Sequence, residues 1–189
     1  MLRIALIGFG VLVAVVVVAV VGATATGYLV VGDPGSALGQ ALTGDFDRPN
    51  VSVEETTVGP VGVPKGGISD VDSEGATVRN RIRIENPNHL GGKVRVVEYD
   101  VYLSGDRDGS YEYLGTGTVR GIDVPPNGTV TETNEFNVTH ENLVTAAGRS
   151  GLSGLVSGGT WYARVEGNAT VALGPASFDV GFESVREVS

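Results

Sequence analysis

Apolar and polar side chains alternate along most of the chain after residue 50. In the segment from Val78 to Glu85, Ile82 and Ile84 share one phase with Val78, whereas three arginines fill the other. A period of two residues is typical of a half-buried β-strand. The same pattern predicts seven strands, at residues 51–58, 76–85, 93–103, 111–118, 129–138, 160–173 and 176–183.

Turn-forming residues separate these predicted strands, as in "SGDRDGS" and "VPPNG". Short strands at such spacing are typical of an antiparallel sandwich. The phase of the third strand changes near Val96 and Val97, which predicts a β-bulge there. One short helix interrupts the series, because Thr139 is a suitable N-cap, Glu141 lies in the first turn and Gly148 can end the helix.

The amino-terminal segment is apolar throughout. Residues 4–31 include no charged side chain, and about 20 apolar residues cross a hydrocarbon core of about 30 Å. Residues 1–31 are therefore predicted to be a transmembrane anchor. Arg3 precedes the apolar run and Asp33 follows it, so the positive-inside rule places the amino terminus in the cytoplasm and the domain outside the cell membrane. The rival interpretation is a cleaved signal peptide, with "ATA" at residues 23–25 as the cleavage site.

Residues 32–50 are rich in glycine, proline and aspartate and show no sustained period. This composition indicates a linker, in which the stretch from Ser36 to Leu42 can form a helical turn or two. The predicted strands then fall in one domain, residues 51–185.

The chain is acidic, with 22 Asp plus Glu against 13 Lys plus Arg and a net charge of −9. Nucleic acid is therefore not expected as a partner, since binding to phosphate backbones needs clustered positive charge. The chain has no cysteine, which excludes disulfides and thiolate metal sites. High Asp and Glu content with scarce lysine resembles the proteins of salt-loving archaea, whose surfaces stay soluble where salt screens other charge interactions.

Sequence motifs for catalysis or cofactor binding are missing. His89 and His140 stand in no recognisable catalytic context, and there is no GxSxG, HExxH or GxxxxGK motif. The acidic turn at residues 70–75 begins like an EF-hand loop, but the twelfth position is Arg81 instead of a bidentate glutamate. A second acidic turn, at residues 106–109, is shorter still. The expectation is a non-enzymatic protein without a cofactor or a metal site.

Four tripeptides match the N-glycosylation pattern, with Asn50, Asn127, Asn137 and Asn168 as possible acceptors. Chance would give about one such match in this composition. The excess fits a location outside the cell, although threonine-rich strands also produce the pattern easily.

Tyrosines form a second candidate surface, since Tyr99, Tyr102, Tyr111 and Tyr113 lie in adjacent predicted strands. Tyr99 and Tyr102 differ in phase, so at least one of them faces outward. An exposed tyrosine can contact a sugar, a peptide or a lipid head group, or it can serve packing and edge protection.

The order of the segments resembles a known family. A strand ending in "IENPN" is followed by "VRVVEYDVYLSG", "YLGTGTV", "VPPNGTVTETNEFNV", a short helix and the pair "TWYARVEGNATVAL" and "ASFDVGFE". From Val51 to Glu183 this order resembles the group 2 late embryogenesis abundant domain, also called the water stress and hypersensitive response (WHy) domain. Its best short marker here is Asn86-Pro87-Asn88. After the marker, "HLGGK" replaces the more usual apolar and proline-rich continuation.

The resemblance implies an immunoglobulin-like or fibronectin III-like sandwich with one helix, a non-enzymatic role, and an association with desiccation, salt or other stress. Two functions stay open. The first is a membrane-anchored stress-protection protein that acts through an acidic, hydrated surface. The second is a cell-surface binding module for a lipid, a glycan or an envelope protein. Asn86 and Asn88 are expected to be structural and to bond loop backbone through their side-chain amides.

Overall fold

The computed structural model describes residues 34–59, 75–147 and 159–188. The predicted transmembrane anchor, residues 1–31, lies outside these ranges. Inside them, no helix combines the length and the apolar character that a bilayer crossing requires.

The described part of the chain has two helices and seven strands. In chain order they are α1 (Pro34–Thr43), β1 (Asn50–Val58), β2 (Ala76–Asn86), β3 (Gly92–Ser104), β4 (Glu112–Val124), β5 (Gly128–Val138), α2 (residues 140–147), β6 (Tyr162–Leu173) and β7 (Ala176–Glu187). The prediction of a mainly β chain with seven strands and a short helix between β5 and β6 is confirmed.

Two strands, β4 and β7, extend several residues beyond the end that the sequence pattern predicts. β4 continues past Thr118 to Val124, because Ile122 and Val124 are buried in the core. Gly121, directly before Ile122, has a φ of 75°, a left-handed conformation that glycine adopts without steric cost, and the strand continues through it. β7 extends from the predicted end at Glu183 to Glu187.

The strands form two antiparallel sheets that make a sandwich. One sheet has the order β1-β2-β5 and the other the order β4-β3-β6-β7. β1 and β7 meet at one side of the sandwich, where the Ser184 hydroxyl donates to the Val53 carbonyl oxygen and Thr56 forms an isolated bridge with Val188. β5 and β4 meet at the other side, where Asn134 Nδ2 donates to the Thr118 carbonyl oxygen at 3.3 Å.

β3 is irregular close to the predicted bulge. Its register against β6 shifts between Val94 and Val96, slightly before the predicted position at Val96 and Val97. Val94 and Val97 are both buried, so the shift returns the later half of β3 to the core. A second shift, against β4, falls between Val101 and Tyr102.

The core lies between the sheets and consists of the inward-facing side chains of the strands. Each fully buried valine, leucine or isoleucine contributes roughly 1.5–3 kcal/mol. From α2, Leu143 and Ala146 join this core. The start of α2 is capped as predicted, because the Asn142 amide donates to Thr139 Oγ1 at 3.3 Å. The largest aliphatic side chains without exposure are Ile82, Ile84, Leu103, Leu114, Leu143 and Leu173.

Candidate functional site

The end of β2 is fixed by the side chain of Asn86. We call Asn86, Pro87 and Asn88 the NPN turn. Asn86 is 2% exposed, and its Nδ2 donates to the carbonyl oxygens of Leu90 at 2.8 Å and Pro125 at 2.9 Å. Its Oδ1 accepts from the Asn88 amide at 3.0 Å, which closes the turn locally. A proline between the two asparagines has no amide hydrogen to leave unpaired in this turn.

The side chain of Asn88 uses its full hydrogen-bonding capacity within the chain, and the residue has no exposed surface. Its Oδ1 accepts from the Asp47 amide at 2.8 Å and from Gln40 Nε2 at 3.2 Å. Its Nδ2 donates to the Asp47 carbonyl oxygen at 2.8 Å and to Asn86 Oδ1 at 3.1 Å. An amide with two donors and two acceptors is thereby saturated. The NPN turn thus connects the segment before β1 to the sandwich.

The backbone of the NPN turn makes two further connections. The Asn88 carbonyl oxygen accepts from the Asn127 amide at 2.7 Å, in the turn between β4 and β5. The His89 amide donates to Gln40 Oε1 at 2.9 Å. Part of the predicted linker therefore forms α1, and Gln40 of this helix contacts two residues of the domain.

The four possible glycosylation acceptors are all exposed. Asn50 Nδ2 donates to Glu85 Oε2 at 3.3 Å, and Asn137 Oδ1 accepts from Thr77 Oγ1 at 3.0 Å. Asn127 has a φ of 46° in the turn before β5, and Asn168 lies on the outer face of β6. The structure places them at separate positions on the surface and brings only Asn50 and Asn127 to the edge of one shallow pocket, beside the NPN turn.

The two histidines lie in separate surroundings. His89 Nδ1 is 3.0 Å from Asn127 Nδ2, and His140 Nδ1 is buried without a hydrogen-bond partner among those residues. In the turn at 106–109, Asp106 Oδ1 accepts from the Asp108 amide at 3.2 Å. No group of three potential metal ligands occurs in the ranges that the structure describes, and residues 70–74 of the other acidic turn lie outside them.

Tyr99 faces inward and reaches across the sandwich. Its hydroxyl donates to Asn134 Oδ1 at 2.6 Å on the opposite sheet, and burial raises the pKa of Tyr99 to about 12. Nearby, Thr56 Oγ1 donates to Asn80 Oδ1 at 2.7 Å, and both residues are fully buried. Asn80 is a polar residue on the apolar phase of β2. The position of its partner Thr56 follows only from the pairing of β1 with β2.

Tyr102 faces outward and belongs to a cluster that the sequence indicated in part. We call Tyr102, Tyr111 and Tyr113 the tyrosine cluster. The rings of Tyr102 and Tyr113 are 5.8 Å apart in an edge-to-face arrangement, and Tyr113 is 48% exposed. The guanidinium of Arg164 lies 4.9 Å from the Tyr102 ring centre and 5.2 Å from that of Tyr111. Such distances are typical of cation–π contacts.

Next to the tyrosine cluster, the outer face of the four-stranded sheet forms an open groove of about 830 Å³. Its acidic residues are Glu98, Asp100, Glu166 and Glu183, and we call it the acidic groove. Thr116 connects the two features, because its hydroxyl bonds with Tyr113 at 2.8 Å and donates to Asp100 Oδ1 at 2.5 Å. Glu166 and Asp100 also raise the pKa of Tyr102, chiefly through a hydrogen bond to Glu166.

The sequence analysis did not single out the acidic groove. Alternation along β3 shows that Glu98 and Asp100 bracket the inward Tyr99 and therefore face outward. That Glu166 lies beside Asp100, and Glu183 beside Glu166, depends on the strand order β3-β6-β7 and on its register. These are long-range pairings that a local pattern does not contain.

The outer face of the three-stranded sheet has a different charge arrangement. Arg79 lies 2.6 Å from Glu135, Arg83 lies 2.6 Å from Glu85, and Arg81 lies 3.2 Å from Glu54. The hydrogen bond from Asn50 and the contact with Arg83 lower the pKa of Glu85. On this face each arginine has an acidic neighbour.

Comparison with known proteins gives a fold but no family. No protein-family model matches the chain, and no curated protein sequence matches it. The solution structure of AT1g01470 from Arabidopsis thaliana matches with a TM-score of 0.51 at 12% identity, over 76% of this chain and 82% of that chain. The chain therefore shares its β-sandwich fold with that protein.

Two further structures are similar at lower scores. One is a candidate late embryogenesis abundant (LEA) protein, At2g46140.1, with a TM-score of 0.45 at 11% identity over 77% of this chain and 74% of that chain. The other is a protein from Archaeoglobus fulgidus, with a TM-score of 0.34 at 14% identity over 76% of this chain and 95% of that chain.

Proposed function

We propose that this chain is a non-enzymatic, membrane-anchored stress-protection protein that acts during desiccation, salt or other water stress. The order of segments around Asn86-Pro87-Asn88, which resembles the group 2 late embryogenesis abundant (WHy) domain, supports this function. An immunoglobulin-like or fibronectin III-like arrangement of the two sheets is part of the same proposal.

The observation that carries the proposal is the distribution of acidic side chains. Every aspartate and glutamate in the described residues is exposed or partly exposed. They occupy both outer sheet faces and the turns, so the acidity is a property of the whole surface. Carboxylates hold water strongly, and a high net charge keeps a protein soluble and apart from its neighbours. Such a surface would keep the domain and nearby membrane proteins hydrated as water is withdrawn.

A gene deletion tests this function. The deletion strain should survive drying or salt shock less well than the parent strain, and the wild-type gene should restore survival. A variant with glutamine in place of exposed acids on both sheet faces should restore it only in part. The matched control replaces the same number of exposed threonines with serine. Unchanged survival of the deletion strain would refute the proposal.

Anchoring by residues 1–31, with the domain outside the cell membrane, is the second part of the proposal. The charge order around the apolar run and the four exposed sequons support it. Protease added to intact cells should remove the domain, and cell fractionation should leave the amino-terminal fragment in the membrane. Protection of the domain in intact cells, with cleavage only after lysis, would contradict this orientation.

A binding module is the alternative function, and the acidic groove favours it. The groove is open, polar and lies beside an exposed tyrosine. This favours a polar partner, such as an envelope protein or a glycan, over a lipid held between the sheets, where the inward side chains of both sheets form the core.

A further inference from the structure

The outer face of the four-stranded sheet places like charges on directly opposed positions. Asp100 of β3 is in register with Glu166 of β6, and Glu166 is in register with Glu183 of β7. Like charges opposite each other on one face of a sheet are destabilising. Arg164 lies 4.0 Å from Glu166, at the outer limit of an ion pair. In the ranges that the structure describes, neither Asp100 nor Glu183 has an ion-pair partner. The groove therefore has uncompensated negative charge.

The tyrosine cluster shows what kind of group this surface accepts. Arg164 already lies over the rings of Tyr102 and Tyr111. Tyrosine rings attract guanidinium and ammonium groups through their negative faces. Tyr113 is on β4, adds a ring that is nearly half exposed, and is connected to Asp100 through Thr116.

The shape of the groove suits an extended segment. Gly181 of β7 lies opposite Asn168 of β6 and has no side chain to fill the outer face at that point. The groove crosses β4, β3, β6 and β7, with Thr118 near one side and Glu183 near the other. A peptide that lies across these strands would bring successive side chains past Glu98, Asp100 and Glu183.

We propose that the acidic groove and the tyrosine cluster together form a docking surface for a basic, arginine-bearing segment of a partner protein. Charge complementarity identifies the occupant, because within the described part of the chain the four carboxylates of the groove have ion pairs with only two arginines, Arg120 at 3.8 Å from Glu98 and Arg164 at 4.0 Å from Glu166. Guanidinium groups match carboxylates in bidentate geometry and also stack on tyrosine. This inference rests on the binding-module alternative and is independent of stress protection.

Fluorescence anisotropy with the full-length chain in non-ionic detergent tests the docking surface. The probe is a short fluorescent peptide of alternating arginine and serine. The groove variant is Glu166→Gln/Glu183→Gln, and the matched control is Glu132→Gln/Glu135→Gln on β5, which removes the same charge from the other sheet. We expect the groove variant to weaken binding by about tenfold or more, equivalent to about 1.4 kcal/mol, and the control to leave binding within about twofold.

Two readouts separate loss of the site from loss of the fold. The groove variant should have a Tm equal to or above that of the wild type, because it removes repulsion between opposed carboxylates. Tyr113→Ala should weaken binding by a few-fold without changing net charge. A lower Tm for the groove variant would contradict the argument from like charges.

Other occupants are tested in the same assay. A peptide of alternating glutamine and serine and the neutral sugar maltoheptaose serve as competing probes. If either binds as tightly as the arginine peptide and loses affinity in the groove variant, the groove is a binding site but the cationic partner is wrong. If the groove variant and the control lose equal affinity, only general acidity attracts the peptide and the docking surface is refuted. Neither result affects the survival test of stress protection.

Discussion

The side chain of Asn88 forms two hydrogen bonds with the backbone of Asp47, which lies 41 residues earlier in the chain. Both bonds are 2.8 Å long, one in each direction. The Asn88 side-chain amide thus pairs with the amide and carbonyl groups of Asp47, as the backbone of a neighbouring strand would. Gln40 of α1 also donates to Asn88 Oδ1, the oxygen that accepts from the Asp47 amide. Asn88 therefore fixes the helix to the end of the sandwich as well. The NPN turn therefore ends β2 and at the same time holds the segment that leads into β1.

Asn88→Ala should lower the free energy of unfolding by roughly 2–3 kcal/mol, because it leaves buried partners without hydrogen bonds. Urea denaturation of the full-length chain measures the change. Asn137→Ala is the matched control, since Asn137 is exposed and its side chain accepts from the half-buried Thr77 side chain at the surface; its effect should stay within about 0.5 kcal/mol. An Asn88→Ala variant of normal stability that has lost protection or binding would show that the residue acts in function and not in structure.

The strands could be predicted from the sequence because alternation is a local signal. Each predicted strand is present, and β2, with Val78, Ile82 and Ile84 on its buried phase, begins where the pattern begins. The predicted β4 ends at Thr118, six residues before the observed end at Val124, and Gly121 lies in the stretch that the prediction left out. In the structure the burial of Ile122 and Val124 outweighs the local preference of one glycine.

The candidate sites depend on pairings that no local pattern contains. The saturation of Asn88 requires Gln40 and Asp47, which come from a segment that reads as a linker. Likewise, Asp100 and Glu166 become neighbours only through the register of β3 against β6. Alternation predicts which side chains face outward. Predicting the acidic groove also requires the strand order.

Tyr99 should make the protein sensitive to alkaline pH. Burial raises the pKa of Tyr99 to about 12, against an ordinary value of 10.0. A group whose pKa is raised in the folded state stabilises fully below its unfolded pKa and loses that contribution as pH rises through the folded value. The free energy of unfolding should therefore fall by roughly 3 kcal/mol between about pH 10 and 12.

Tyr99→Phe isolates this effect from the other groups that titrate in the alkaline range. Above about pH 10, the wild type should lose stability relative to Tyr99→Phe. Tyr113→Phe, at an exposed tyrosine, should track the wild type throughout. Identical pH profiles of stability for wild type and Tyr99→Phe would show that deprotonation of Tyr99 does not destabilise the fold.

Gly167 should not tolerate a side chain. It is in register with Tyr99 on β3, and an added Cβ would lie 2.6 Å from Tyr99 Cβ as well as against the Glu98 backbone. Gly167→Ala should therefore cost about 1–3 kcal/mol, the usual effect of overpacking. Gly181→Ala on β7 is the control, because its added Cβ would be 3.3 Å from the exposed Asn168 side chain. Equal thermal midpoints for the two variants would refute the close contact between Gly167 and Tyr99.

Glu85 should give a small stabilisation that is lost in acid. The hydrogen bond from Asn50, followed by the contact with Arg83, lowers the pKa of Glu85 below 4.5. A carboxylate whose pKa is lowered in the folded state stabilises the fold above its unfolded pKa. This contribution is lost as pH falls through the folded pKa. Wild type should thus have a slightly higher thermal midpoint than Glu85→Gln at neutral pH, and the two should converge as pH falls below about 4. The difference in thermal midpoint should also narrow in high salt, because Glu85 is partly exposed.

Glu112→Gln is the control, at an exposed glutamate of β4 without an ion pair in the described residues. An identical pH profile for both variants would contradict the role of Asn50 and Arg83.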